Sequence, residues 1–129
     1  MDRAEELRQW FALALQDLSL ADHAATMMHP TPDERICNLC QQAAEKYLKG
    51  FLFLNHIEPP KIHDLVALRK MCEALVPKFS SLLAKTRALN QYGVMPRYPN
   101  ELQITTDDMK RALRYATDVK EFVLSVCGF

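Results

Sequence analysis

Three short polar segments of this chain carry the side chains most able to do chemistry. They are Glu45-Lys46-Tyr47-Leu48-Lys49, His63-Asp64 and Arg97-Tyr98-Pro99. Lysine ammonium groups can hold phosphate oxygens as point charges, and an arginine can bind a phosphate or carboxylate through two parallel hydrogen bonds. A tyrosine ring can stack on a base, and a histidine changes its charge near neutral pH. If the fold brings the three segments together, they form a polar site.

Each segment also has a purely structural interpretation. Glu45 and Lys49 are four residues apart with the acid first, which favours an ion pair on an exposed helix face worth roughly a few tenths of a kcal/mol. His63 could be a loop histidine that only precedes a helix start, and Arg97 could pair with Glu45 to tie its loop to the rest of the protein. These residues alone leave both interpretations open.

The remaining pattern predicts five helices that would position these segments. Prolines divide the chain into helical lengths, and strand-like alternation is nearly absent. The predicted helices span about residues 2–28, 32–58, 64–76 and 78–92, and a fifth begins at Thr105 or Thr106. A loop from Gly93 to about Ile104 separates the last two. The predicted fold class is all-α, an up-and-down bundle of about five helices with mostly antiparallel neighbours, in a single domain over residues 1–129.

Local signals refine the second and third helices. Thr31 as N-cap, with Glu34 three residues later, predicts a capping box, and Asp64 suits the N-cap of the third helix. Gly50 costs about 1 kcal/mol of helix stability against alanine, so we expect another helix to come close there. The predicted inward-facing residues of these two helices are Ile36, Cys40, Ala43, Tyr47, Phe51 and Leu54, then Leu65, Leu68, Cys72 and Leu75.

Composition limits the classes of protein that fit. Sixteen basic and sixteen acidic residues give a formal net charge of zero, so any binding of nucleic acid must rest on a local patch. The charged N-terminus lacks the apolar run of a signal peptide, and no apolar stretch is long enough to span a bilayer. We therefore expect a soluble cytoplasmic protein without membrane contact.

Familiar cofactor and metal motifs are missing from the sequence. A Gly-rich phosphate loop and a His-Glu-x-x-His are absent. Cys37 and Cys40 form a Cys-x-x-Cys, but no second pair or histidine cluster completes a metal set. We expect the four cysteines to be free and buried, and we expect neither a metal nor a cofactor.

Together the polar segments resemble the HEPN family (higher eukaryotes and prokaryotes nucleotide-binding domain) over most of the chain. The matching pieces, in order, are Asp17-Leu18 with Ala21, then Gln42-Ala43-Ala44-Glu45-Lys46-Tyr47-Leu48-Lys49, then His63-Asp64-Leu65 with Leu68, then Tyr92 and Arg97-Tyr98-Pro99. The resemblance implies a helical bundle that is usually dimeric and that binds nucleotides or RNA. It also implies a partner, a small nucleotidyltransferase, in a two-component system that is often of the toxin–antitoxin kind.

Relatives that are ribonucleases carry an arginine followed a few residues later by a histidine in the last part of the bundle. No arginine here is followed by a histidine in that way, since the last histidine of the chain is His63. The leading hypothesis is therefore a non-catalytic module that binds a nucleotide or RNA and acts with a nucleotidyltransferase.

The predicted ligand-binding residues are Glu45, Lys46, Tyr47, Lys49, His63, Arg97 and Tyr98. Within this set, two lysines and Arg97 would contact phosphate, one of the two tyrosines would stack on a base, and His63 would orient a polar group. Two alternatives are a metal-independent ribonuclease toxin, using Arg97 with His63 or Glu45, and a helical dimer with a purely structural role.

Overall fold

The computed structural model describes residues 1–93 and 103–129. In chain order the elements are α1 (Arg3–Met27), α2 (Asp33–Leu54), α3 (Leu65–Leu75), a 3-10 helix (Pro77–Leu82), α4 (Leu83–Asn90) and α5 (Thr106–Cys127). No strand occurs in these two stretches, and the all-α prediction with five helices is confirmed. Among the described helices, none combines the length and the apolar character needed to cross a membrane.

Helix α2 is the centre of the bundle, because α1, α3, α4 and α5 all pack against it. Helix α1 runs antiparallel to α2: Arg3, at the start of α1, donates a hydrogen bond to the Phe53 carbonyl oxygen near the end of α2 (2.6 Å). Helix α5 runs in the same direction as α2, since Thr106 at its start donates to the Asp33 carboxylate at the start of α2 (3.1 Å).

The apolar side of α2 forms most of the core. The predicted inward-facing residues Ile36, Cys40, Ala43, Tyr47 and Phe51 are all at most 2% exposed. A Cβ atom added to Gly50 would lie 2.7 Å from Cε1 of Phe11 on α1. The predicted close approach of another helix at Gly50 is therefore confirmed.

One predicted helix start is correct and another is wrong. Asp64 caps α3, and its Oδ1 accepts hydrogen bonds from the backbone N–H groups two and three residues later (2.9 and 3.2 Å). Helix α2 begins at Asp33 without a side-chain cap. The capping box predicted for Thr31 and Glu34 does not form, because the N-cap position is occupied by Pro32, which has no side-chain acceptor. The Thr31 hydroxyl donates to the Asp33 carboxylate (2.6 Å).

The fourth predicted helix is divided in two. A 3-10 helix occupies its first part and α4 its second. Residues three apart lie on the same side of a 3-10 helix, and this geometry buries both Phe79 and Leu82. Leu75, which the pattern placed inward, is 42% exposed because it ends α3.

Candidate functional site

A carboxylate on the polar side of α2 is the centre of a hydrogen-bonded group. Glu45 Oε2 lies 3.0 Å from Lys49 Nζ, and Oε1 accepts a hydrogen bond from Gln41 Nε2 (3.3 Å). His63 Nδ1 lies 3.0 Å from each carboxylate oxygen. We call these four residues, Gln41, Glu45, Lys49 and His63, the Glu45 cluster. Three of them are one helical turn apart on α2, and the fourth comes from the turn before α3.

The Glu45 cluster is buried at one end and open at the other. The side chains of Lys49 and Glu45 are 8% and 12% exposed, whereas that of His63 is 78% exposed. The predicted ion pair is therefore present, but its expected place on a solvated helix face is wrong. Gln41 holds the turn before α3 against this side of α2, because its Nε2 also donates to the His63 carbonyl oxygen (3.0 Å).

The backbone beside His63 is fixed from a second direction. Asp64 Oδ1 accepts a hydrogen bond from Asn90 Nδ2 (3.0 Å), and Asn90 Oδ1 accepts one from the Leu65 backbone N–H (2.8 Å). With the bond from Gln41, these contacts join α2, α3 and the end of α4 at one point. The imidazole consequently extends from a hydrogen-bonded backbone segment, although most of its surface faces solvent.

Sequence reasoning missed two amides that belong to this polar side of α2. Gln41 is part of the Glu45 cluster, and Asn38 Nδ2 donates to the Tyr92 carbonyl oxygen at the end of α4 (2.9 Å). A signal for them was available. Asn38, Gln41, Glu45 and Lys49 follow one another at intervals of three or four residues, which places them on one helix face.

The segment that carries Arg97 and Tyr98 begins beside the Glu45 cluster. A Cβ added to Gly93, the last described residue before it, would lie 3.4 Å from Gln41 Nε2. After this segment α5 begins, and its first residue, Thr106, contacts Asp33 at the start of α2. Arg97 and Tyr98 themselves lie outside the described residues.

Lys46 and Tyr47 do not join the Glu45 cluster. Lys46 Nζ forms an ion pair with the Asp17 carboxylate of α1. Tyr47 is 2% exposed, its ring stacks on Phe11 of α1 with centroids 6.1 Å apart, and burial raises the pKa of Tyr47 to about 12. The structure thus brings Glu45, Lys49 and His63 together and directs the other two side chains toward α1, where the Tyr47 ring has no face open to a base.

Sequence and structure comparisons identify the family. The model of the HEPN domain matches residues 7–126. The chain belongs to the HEPN domain family. Among solved structures, ST0689, an archaeal HEPN homologue, superposes on this HEPN domain with a TM-score of 0.71, and TT1696 from Thermus thermophilus does so with 0.73. Each is 24% identical over 97% of this chain and 98% of its own, which establishes a shared fold. Curated protein sequences gave no match.

The Glu45 cluster of this HEPN domain combines a buried ion pair with one exposed imidazole. A buried ion pair is tolerated only when hydrogen bonds satisfy both charges, and the Glu45 carboxylate has Lys49, Gln41 and His63 around it. An exposed histidine beside an ionised carboxylate can form a hydrogen bond with a ligand or exchange a proton with it. His63 is the member of the Glu45 cluster that a ligand can reach.

The cysteines of this HEPN domain are set apart from that chemistry. Cys37, Cys40 and Cys72 are fully buried, as expected, and form no disulfide, whereas Cys127 is partly exposed. Burial raises the pKa of Cys72 to about 12, and burial also raises the pKa of the Cys40 thiol. Within the two described stretches, no group of three His, Cys, Asp or Glu side chains is placed to hold a metal ion.

Proposed function

We propose that this HEPN domain binds a nucleotide or RNA at the surface where His63 is exposed. The observation that carries the proposal is the Glu45 cluster, in which one exposed imidazole is hydrogen-bonded to the Glu45 carboxylate. The chain leading to Arg97 and Tyr98 starts beside the same cluster, at Gly93. An exposed imidazole, together with an arginine and a tyrosine a few residues after Gly93, suits a ligand that has phosphate, sugar and base.

The contacts of Lys46 and Lys49 refine their expected roles. Both ammonium groups already have carboxylate partners, Asp17 and Glu45. In the proposal, Lys49 therefore acts indirectly through its ion pair with Glu45, and Arg97 is the principal contact for phosphate because its guanidinium can bind two oxygens at once. Tyr98 takes the place of the buried Tyr47 as the residue that stacks on a base.

Ligand-dependent thermal stability tests this proposal. A nucleotide at about 100 times its dissociation constant should stabilise the domain by roughly 2.7 kcal/mol. Arg97→Ala should reduce this shift, and Arg87→Ala, which removes an exposed arginine of α4, is the matched control. If neither ATP, GTP nor a short single-stranded RNA shifts the unfolding of the wild-type domain, alone or with its partner, the proposal is wrong.

Family membership supports a protein partner as well. We propose that the domain acts with a small nucleotidyltransferase, in a two-component system of the toxin–antitoxin kind. The test is co-expression with the nucleotidyltransferase encoded by the neighbouring gene, followed by purification through a tag on one chain only. A neighbouring gene of another class, or a nucleotidyltransferase that does not co-purify, would contradict this part.

A homodimer is proposed from the exposed side of α1. Leu13, Leu20 and Met27 are 46%, 54% and 63% exposed, and they are spaced seven residues apart on one line of the helix. Leu20 lies midway between the other two residues. In an antiparallel pair of α1 helices, Leu20 would face Leu20 of the second copy, and Leu13 of each copy would face Met27 of the other. A two-fold interface requires this reciprocal pairing. Leu20→Arg should produce monomers in light scattering, whereas Leu75→Arg, at an exposed leucine of α3, should not.

One observation favours a second function, that of a metal-independent ribonuclease. The Glu45–His63 pair has the arrangement of a carboxylate that orients a histidine base. Cleavage of RNA by the pure protein in the presence of EDTA, lost in both His63→Ala and Arg97→Ala, would support this function. If the domain neither cleaves RNA nor binds any nucleotide, its role is that of a structural helical dimer.

A further inference from the structure

The position of one proton in the Glu45 cluster follows from its contacts. An ionised carboxylate is only an acceptor of hydrogen bonds. Glu45 is ionised because the buried Lys49 ammonium, 3.0 Å away, would otherwise be a buried charge without a counter-ion. His63 Nδ1 is 3.0 Å from both oxygens of that carboxylate, so Nδ1 carries the hydrogen.

The opposite ring nitrogen is then fixed as an acceptor. In a neutral imidazole, one nitrogen donates and the other accepts, and the hydrogen bond made by the first decides which tautomer is present. With Nδ1–H directed at Glu45, Nε2 of the neutral ring carries the lone pair. The side chain is 78% exposed, and no residue of the described chain is hydrogen-bonded to Nε2.

We infer that His63 Nε2 binds a hydrogen-bond donor of the ligand, with Glu45 as the residue that positions it. This rests on the proposed function, because the ligand is taken to be a nucleotide or RNA. Phosphate oxygens accept hydrogen bonds, so a lone pair on Nε2 is directed at a different part of the nucleotide. The donors available there are the ribose hydroxyl groups and the exocyclic amine of the base.

Calorimetric titrations with matched ligands test the inference. The wild-type domain and His63→Ala would each be titrated with ATP, 2′-deoxy-ATP, 3′-deoxy-ATP, purine riboside triphosphate (which lacks the exocyclic amine and adds no donor) and tripolyphosphate. His63→Ala should weaken ATP binding by about tenfold, the loss expected for one hydrogen bond. With the wild-type protein, the analogue that lacks the group bound by Nε2 should bind more weakly than ATP by the same factor. With His63→Ala, that analogue and ATP should bind equally well. The group missing from that analogue is then the donor.

Each other outcome has a definite meaning. If the wild-type protein binds no nucleotide, the proposed function itself fails. If it binds ATP but every analogue loses affinity equally in both proteins, or if His63→Ala weakens tripolyphosphate as much as ATP, the inference is overturned and the proposed function stands. His63→Ala should fold normally because the side chain is mostly exposed, and an unchanged unfolding midpoint without ligand checks this.

The role of Glu45 can be measured without any ligand. Nitrogen-15 NMR of the His63 ring distinguishes the two neutral tautomers, at a pH where the imidazole is uncharged. The wild-type spectrum should show hydrogen on Nδ1 and a bare Nε2. Glu45→Gln should mix the tautomers, since an amide can donate or accept, whereas Glu58→Gln, at an exposed glutamate, should not. A wild-type ring protonated mainly at Nε2 would overturn the inference.

Discussion

Replacing Glu45 by alanine is the perturbation whose effect on stability the structure defines most sharply. The change removes the carboxylate partner of Lys49, whose side chain is only 8% exposed, and leaves Gln41 Nε2 without one of its two acceptors. Removing one member of a buried ion pair costs about 3–5 kcal/mol, mostly because the other charge remains buried. Since Glu45 is 12% exposed and water can enter from the His63 side, we expect the lower end, about 3 kcal/mol.

The assay is reversible unfolding in urea, with thermal unfolding in parallel. For a domain of 129 residues, a loss of that size should lower the melting temperature by roughly 10 °C. Glu5→Ala is the matched control, because Glu5 also pairs with a basic residue on its own helix, Arg8, but those side chains are 46% and 67% exposed. That substitution should change the free energy of unfolding by less than about 0.5 kcal/mol.

A double substitution separates the charge from the packing. Glu45→Leu with Lys49→Met removes both charges and keeps apolar volume, so it should recover most of the stability that either single change loses. The reasoning is refuted if Glu45→Ala costs less than about 1 kcal/mol. The pair would then behave as the solvated helix-surface ion pair that the sequence alone suggested.

Three further outcomes concern a packing contact, a helix cap and the thiols. Gly50→Ala should lower the free energy of unfolding by about 1–2 kcal/mol despite the better helix propensity of alanine, because its Cβ meets Phe11 Cε1 at 2.7 Å. Phe11→Leu should recover most of that loss, and a Gly50→Ala protein more stable than wild type would show that the contact is loose. Hydrogen bonds from the Thr105 backbone N–H and hydroxyl hold the pKa of Asp108 below its ordinary value of 3.8. A depressed pKa contributes stability above the unfolded pKa that is lost as the pH falls through the folded one, so wild type should lose stability relative to Asp108→Asn below about pH 3.8. Thermal unfolding across the acid range measures this, and a difference independent of pH would contradict it. In the native protein, a thiol reagent should modify only Cys127, and slowly, because burial raises its pKa to about 11 and the other three cysteines are buried. Modification of a second thiol without unfolding would count against this packing.

The helices could be predicted from the sequence because their signals are local. The apolar spacing on α2 and the Asp64 cap each depend on residues within a few turns, and both are correct. A glycine inside a helical pattern also predicted the close approach at Gly50, although the residue that makes it, Phe11, lies on another helix. The capping box at Thr31 failed for an equally local reason, since α2 begins one residue later than predicted and Pro32, which has no side-chain acceptor, is its N-cap. A pattern of residue types shows which residues can cap a helix, but it does not fix the starting residue to within one position.

The burial of the candidate site could not be predicted, since it depends on contacts between distant parts of the chain. Whether Glu45 and Lys49 face water is decided by the turn at His63, which Gln41 holds in place from 22 residues away. Tyr47 shows the same limit. Its spacing predicted a core position, its chemistry suggested stacking on a base, and the contact with Phe11 of α1 decides for the core.

The Glu45 cluster also shows why stability alone does not account for its residues. Replacing a buried ion pair by apolar side chains of similar volume is often neutral or stabilising, so a leucine and a methionine would serve the bundle equally well at these two positions of α2. Such a replacement would remove the charge that fixes the hydrogen on His63 Nδ1. What the ion pair provides, and an apolar pair cannot, is an exposed imidazole with a defined acceptor atom. The orientation of the His63 ring is therefore the best explanation for the presence of a buried ion pair at Glu45 and Lys49. The double substitution proposed above should leave a stable bundle in which His63 has lost its preferred tautomer.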